Sequence, residues 1–427
     1  MTDLLQSDGL ATSRRAVLMG SIAGAGALAV PASLAHAAHG AAAIQPALAG
    51  DAVVPFRVEV NTADLSHLRQ RLRLTRWPDK ETVNDWSQGA PLAKVRKLAE
   101  YWQSEYDMGR LAHRLNAYPQ FRTRIDGLGI HFIHVQSKHA GATPLVLTHG
   151  WPGSIVEFLD VIGPLTDPTA HGGSAEDAFH VVIPSLPGYG FSDKPSEKGW
   201  GLPRIARAWG VLMRRLGYDD YLAQGGDWGA GVTTWMAKQH VPGLIGVHLN
   251  LPILFPPPIV GTPTAEEQAS IAQLVKFSDD GSGYAKLQST KPQTLGYALA
   301  DSPAGQAAWI YEKFGMWTDS KLMPESVLSL DRMLDNIMLY WLTDTGASSA
   351  RLYAESFTSD FTPQKLDLPV AVSVFPGELY RPLRIWGERM YSKLVYWNEA
   401  KHGGHFAAFE QPDIFVDELR RAKRKLG

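Results

Sequence analysis

The chain has 427 residues, 45% of them hydrophobic and 20% charged, with 41 Lys and Arg against 43 Asp and Glu. That length can bury a large core, and the near-balance of charge leaves no broad basic face for a phosphate backbone, which sets nucleic acid aside. The absence of cysteine removes disulfides, thiolate metal sites and a cysteine nucleophile together.

In chain order, Arg14-Arg15 stands directly before a stretch that carries no Asp, Glu, Lys or Arg until Asp51. Ala35-His36-Ala37 supplies the small residues of a cleavage site. The pattern resembles a twin-arginine export signal, expected over residues 1–37, with the mature protein beginning near Ala38 in the periplasm or medium. The alternative is a retained anchor, since the run is long enough to span a bilayer. After cleavage no stable membrane span is expected, and the fold argument begins at residue 51.

From Asp51 to about Tyr118 the pattern is helical. Asn61-Thr62 caps a first helix with Leu65, Leu68 and Leu72 at helical spacing, and Arg76-Trp77-Pro78 ends it. Pro91 opens a second, with Leu92, Val95, Leu98, Tyr101 and Trp102 along one face. Such an arm buries too little alone and must lean on a larger core. Phe121–Ile125 and Ile130–Val135 flank Asp126-Gly127 as a hairpin. Strands at 144–148, 179–183, 220–224 and 244–249 then alternate with helices at 202–216 and 229–240, which means a mostly parallel sheet with helical crossovers. From about Pro252 to Thr362 the chain reads as helix and loop, a helical lid, before Val370–Phe375 resumes the strands. The expected division is an N-terminal meander over 51–135, a core over 136–251 and 366–427, and a lid over 252–365.

Four segments carry chemistry. Gly225-Gly226-Asp227-Trp228-Gly229 lies between a strand and a helix, the context of a nucleophile elbow, here centred on aspartate; the alternative is a helix-capping aspartate. Thr148-His149-Gly150-Trp151-Pro152-Gly153-Ser154 follows an apolar strand, where a glycine-rich turn can aim a backbone N–H at a developing oxyanion; it is also ordinary turn chemistry. His149 reads as a structural histidine rather than a base. His405, in Gly403-Gly404-His405-Phe406, lies late enough in the chain to reach the elbow as a base, with His402 as its competitor. Glu378, in Phe375-Pro376-Gly377-Glu378, could orient that histidine; on spacing alone it is a solvated turn carboxylate, and only the order nucleophile, acid, histidine favours it.

With these motifs on the page, residues 51 to about 425 resemble the epoxide hydrolases of the α/β-hydrolase fold, specifically the microsomal-type branch with an N-terminal helical meander. The lid segment Tyr284–Thr294, Asp301-Ser302-Pro303 and Leu339–Gly346 belong to the same likeness. The resemblance implies Asp227 as nucleophile, His405 as base and Glu378 as its partner. It implies Tyr284 and Tyr353 as the pair that hold the epoxide oxygen, and Trp151 and Trp228 as the backbone N–H donors of the oxyanion hole. Leu352, before Tyr353, departs from relatives that carry an aromatic there, which touches pocket shape. The expected partners are a small apolar epoxide and water, with no cofactor and no metal; a homodimer is left open. Trp77, Trp86, Trp309, Trp317 and Trp341 suggest an apolar tunnel, with core packing as the alternative reading. Tyr297, Tyr311 and Tyr340 are assigned to packing.

The implied reaction suits these residue types. A carboxylate attacks a strained carbon in line, and a tyrosine, still protonated at neutral pH, meets the leaving alkoxide. Water activated by His405 then cleaves the aspartyl ester to a vicinal diol. A haloalkane dehalogenase shares the aspartate and histidine but has no use for paired lid tyrosines or the arm. A serine esterase is excluded by Asp227, since the rival Ser348 falls in the lid with no strand before it. An inactive binding module would have lost one of these groups, and every position is filled.

Overall fold

The computed structural model describes residues 50–252, 254, 262–357 and 365–427. The expected export signal lies outside them. After β1 (Val54–Phe56) come the arm helices α1 (Thr62–Arg73), α2 (Leu92–Ser104) and α3 (Arg110–Asn116). The hairpin β2 (Gln120–Ile125) and β3 (Leu128–Val135) follows, turning on Asp126 and Gly127, both at positive φ as a tight two-residue turn requires. Then come β4 (Thr143–Thr148), α4 (Ile162–Thr166), β5 (Phe179–Pro184), α5 (Leu202–Arg215), β6 (Tyr221–Gly225), α6 (Trp228–Lys238) and β7 (Leu244–Leu249). The lid contributes α7 (Ala265–Lys276), α8 (Gly283–Thr290), α9 (Pro292–Asp301), α10 (Pro303–Trp317), α11 (Leu330–Leu342) and α12 (Gly346–Ser356). The chain closes through β8 (Leu366–Val374), α13 (Arg384–Met390), β9 (Tyr391–Glu399), α14 (Ala407–Glu410) and α15 (Pro412–Leu426).

The described strands form one sheet in the order β1-β2-β3-β5-β4-β6-β7-β8-β9. From β5 to β9 every neighbouring pair is parallel, while β1, β2 and β3 add an antiparallel edge. This is the mostly parallel α/β-hydrolase sheet, with its order reversing around β4. The central strands are apolar runs buried on both faces: β6 is buried along its length, and Leu145 to Thr148 of β4 likewise. Loops at the carboxyl ends of β4, β6 and β8 therefore open on one rim, where ligands of such sheets bind.

Two features depart from the sequence reading. Val54–Phe56 is an edge strand paired with Gln120–Arg122, inside the stretch read as helical. Three residues are too short to show periodicity, and a proline is tolerated on an edge. The second concerns the arm, which meets the core as expected through the Arg114–Asp160 ion pair and the Tyr118 Oη hydrogen bond to the Leu159 carbonyl, and leans on the lid as well. Its helices pack on the lid: α1 and α2 against α10, and α2 and α3 against α11. Leu68, Leu98, Trp102 and Leu111 are sealed in the process. Asp335 of α11 is wholly buried at this junction and accepts from Tyr106 Oη at 2.8 Å, Arg110 Nε at 3.2 Å and Arg114 Nη1 at 2.8 Å.

Candidate active site

β6 ends in a turn that only small residues permit. A Cβ on Gly225 would strike the Gly229 carbonyl, and one on Gly229 would strike the Thr148 carbonyl of β4. Asp227, between them, is held at φ 49°, ψ −129°, a strained conformation for a residue with a side chain. Its side chain makes no capping bond to α6, which disposes of the helix-cap alternative. Instead the carboxylate faces the loop after β4. Gly150 leaves it room, since a Cβ there would collide with the Asp227 carboxyl, and Trp151 N–H donates to Asp227 Oδ1 at 2.8 Å. Trp228 is the first residue of α6, so its N–H is one of the donors that a helix N-terminus leaves without an intrahelical partner.

His405 Nε2 lies 3.4 Å from Asp227 Oδ2, and its Nδ1 lies 2.6 Å from Glu378 Oε1. Glu378 comes from the loop after β8, and His405 from the loop before α14. Both side chains are almost wholly buried. Burial alone would depress the imidazole. The Glu378 charge, together with hydrogen bonds to Asp227 and Glu378, outweighs it and holds the His405 pKa well above its ordinary value. His402 is exposed and stands outside this arrangement.

His149 is held as a structural residue. Its Nδ1 is 2.9 Å from the Gly150 carbonyl and its Nε2 accepts the Leu186 N–H at 3.2 Å. One nitrogen must donate and the other accept, so the ring is neutral, and burial accordingly pushes its pKa down to about 4.

The lid brings two tyrosines over the same loop. Tyr284 of α8 stacks on Trp151 with ring centroids 5.1 Å apart, Tyr353 of α12 stands edge-on to Trp151 at 5.8 Å and to Trp228 at 4.7 Å, and the two tyrosines are 5.8 Å apart. Burial, with the Asp227 charge added to it, raises the pKa of both Tyr284 and Tyr353, so both remain donors. Lys313 is buried 4.2 Å from the Tyr284 ring centroid and pairs with Glu312.

Several contacts that shape the site carried no sequence signal. Trp317 O accepts the His405 N–H at 2.8 Å, and its ring lies 5.0 Å from His405 and 5.1 Å from Tyr284. Asp319 Oδ2 accepts the Gly403 N–H, while Glu410 accepts the N–H groups of Asp319 and Phe406. The lid segment after α10 thus clasps the histidine loop. Of the tryptophans read as tunnel candidates, Trp317 joins the site. Trp77 lies under Arg96, Trp86 packs on Tyr311, and Trp309 donates to Gln288. Of the tyrosines assigned to packing, Tyr340 donates to the Gly153 carbonyl and Tyr311 to Glu325, whereas Tyr297 is exposed.

Comparison with known proteins identifies the family. The family described as Epoxide hydrolase N terminus matches residues 53–158, and that described as alpha/beta hydrolase fold matches 143–300. The chain is 61% identical to a candidate epoxide hydrolase from Stigmatella aurantiaca over 88% of its own length and 85% of the relative's. It is 37% identical to epoxide hydrolase 1 of Sus scrofa, over 88% and 90% of the two chains. The solved structure of an Aspergillus niger epoxide hydrolase superposes with a TM-score of 0.80 at 34% identity, covering 88% of this chain and 97% of that one.

Proposed function

The chain belongs to the epoxide hydrolase family and opens epoxides to vicinal diols, and from that premise we propose the part each of its own residues plays. Asp227 attacks an epoxide carbon in line, breaking the ring C–O bond and forming an alkyl ester. Tyr284 and Tyr353 donate hydrogen bonds to the departing oxygen, and one of the two phenols passes it a proton, leaving a phenolate and the first hydroxyl. Water then adds to the ester carbonyl, with His405 Nε2 taking its proton. The backbone N–H groups of Trp151 and Trp228 hold the tetrahedral oxyanion. Collapse releases the diol as His405 gives its proton to the leaving oxygen, and the proton left on the Asp227 carboxyl restores the phenolate, which returns Asp227 as a carboxylate.

The observation that carries this reading is the position of Asp227: one oxygen takes the Trp151 N–H while the other faces His405 Nε2. The electrostatics add an order of events. The free Asp227 carboxylate helps to keep the His405 proton in place. Esterification removes that negative charge, so the imidazole pKa falls at the moment a base is needed. A dehalogenase would not need the two lid tyrosines, and the relatives do not favour that alternative.

A single turnover with excess enzyme in heavy-oxygen water tests the reading. The first diol should be almost unlabelled and the label should sit on the peptide carrying Asp227. His405→Gln should form the ester and stall, raising the mass of that peptide by one epoxide. Immediate heavy oxygen in the first diol would mean direct attack by water and would sink the proposal.

Export by the twin-arginine route, with cleavage near Ala38, is proposed on the Arg14-Arg15 pattern alone. N-terminal sequencing of protein from the periplasm or medium tests it. Recovery of Met1 protein from the cytoplasm alone would reject it. The substrate class is a small apolar epoxide, with water as the second reactant.

A further inference from the structure

Behind the nucleophile lies a cavity of about 20 Å³, measured as the space open to the centre of a water molecule. That is room for one water, and a water in such a place needs two to four polar partners. Asp227 and His405 border the cavity on one side; Gly150, Gly153, Asn250 and Glu157 are also in its wall. Glu157 has no part in the mechanism above. A Cβ at Gly153 would fall on its Oε1, so glycine at that position is what lets the carboxyl lie there.

The bland account of Glu157 is a helix cap. Ser154-Ile155-Val156-Glu157 has the spacing of a capping box, Ser154 accepts the Val156 N–H, and the Ser154 backbone bonds the Glu157 carboxyl. A cap of that kind works as well or better when charged, and it would be expected to face solvent. This carboxyl faces the catalytic pair instead. Burial raises its pKa to about 8, against the pull of His405 and with the push of Asp227 and Glu410.

We propose that Glu157 positions the water that attacks the Asp227 ester, by accepting one of its hydrogens from the far side of the cavity. With its other hydrogen directed to His405 Nε2, the water has a lone pair left to face the carbonyl carbon. The step keeps its balance: the water oxygen bonds to that carbon, one proton passes to His405, and Glu157 neither gains nor loses a proton. A neutral carboxyl supplies the acceptor without placing a second negative charge beside the developing oxyanion. The proposal rests on the aspartyl-ester reading.

The neutral state has a consequence for pH. Glu157 faces His405, Asp227 and Glu410, and Tyr340 of α11 responds to its charge. As pH rises through about 8 the carboxyl ionises, which opposes oxyanion formation and holds the His405 proton in place. Ester hydrolysis should therefore decline above that pH. Glu410, raised to about 7 by burial, titrates below that window and is left unchanged in both Glu157 variants.

Rapid-quench measurements with styrene oxide separate ester formation from ester hydrolysis. Glu157→Leu should leave ester formation nearly unchanged and slow hydrolysis on the order of 10- to 100-fold, so the ester accumulates. Glu157→Gln keeps the carbonyl acceptor and should hydrolyse at close to the wild-type rate at pH 7, without the decline above about pH 8. Hydrolysis at the wild-type rate in Glu157→Leu, or equal slowing of both half-reactions, would overturn the proposal. Should that variant not fold, matching pH profiles for wild type and Glu157→Gln would overturn it. Absence of any ester in the wild-type enzyme would instead count against the mechanism on which the proposal stands.

Discussion

Asp335 at the arm–lid junction and Glu378 behind the histidine are both carboxylates with almost no exposed surface, yet their company differs. Asp335 is saturated: Tyr106 holds one oxygen, and Arg110 and Arg114 hold the other. Glu378 uses a single oxygen, shared by His405 Nδ1 and the Leu379 N–H, and its Oε2 has no partner. A saturated carboxylate between permanent cations fixes where two elements meet. A carboxylate whose one ionisable partner is a histidine sets the affinity of that ring for a proton. Burial makes both interactions strong, and the identity of the partner decides whether the result is a lock or a base.

The widest separation between the two should come from Glu378→Gln. The amide keeps an oxygen for Nδ1 but removes the charge, so ester hydrolysis should fall on the order of 10³- to 10⁴-fold while the fold is retained. Because the Glu378 charge raises the His405 pKa, its loss should also move the pH midpoint of hydrolysis downward. A pH–rate profile of single-turnover hydrolysis measures both. An unchanged rate would remove Glu378 from the site.

Asp335→Ala should do the reverse, costing about 3 kcal/mol of stability with little change in the rate of ester formation. The low end of the range for broken buried pairs is expected because Arg110 and Arg114 keep some access to water. Urea unfolding beside rapid-quench kinetics gives the two readings. Loss of catalysis without loss of stability would erase the contrast.

The lid tyrosines should fall below these. Tyr284→Phe and Tyr353→Phe should each slow ester formation by about 1–3 kcal/mol of transition-state stabilisation, and the double variant by more than either. Turnover unaltered in the double variant would leave both residues as packing. The smallest effect belongs to an exposed pair. Lys276 and Asp280 sit one helical turn apart with most of their side chains in solvent, and Lys276→Ala should leave the urea unfolding midpoint essentially where it is. A loss as large as that of Asp335→Ala would show that burial is not what separates the two kinds of ion pair.

Much of the fold was legible because it is written locally. The Asp126-Gly127 turn, the apolar runs of β4 to β7 and the capped α1 each depend on residues within a few positions of one another. The elbow was legible for the same reason. Gly225 and Gly229 are demanded by backbone contacts only a strand away, and an aspartate at the apex announces its chemistry. Glu378 was ambiguous on spacing, because a carboxylate after a turn is common and nothing nearby says which way it points. It takes the chain from β8 through β9 to α14 to bring His405 Nδ1 within 2.6 Å of it. The two tyrosines were identified by resemblance, since phenols on amphipathic helices look like packing residues until the helices are placed. Tertiary structure alone decided the Trp317 carbonyl on the His405 N–H, the Asp319 and Glu410 clasp, the seat of the arm on the lid and the carboxyl of Glu157 at the cavity. Each joins segments far apart in the chain, several through backbone atoms that every residue shares, and such contacts leave no mark on sequence because packing, not residue type, selects the partner.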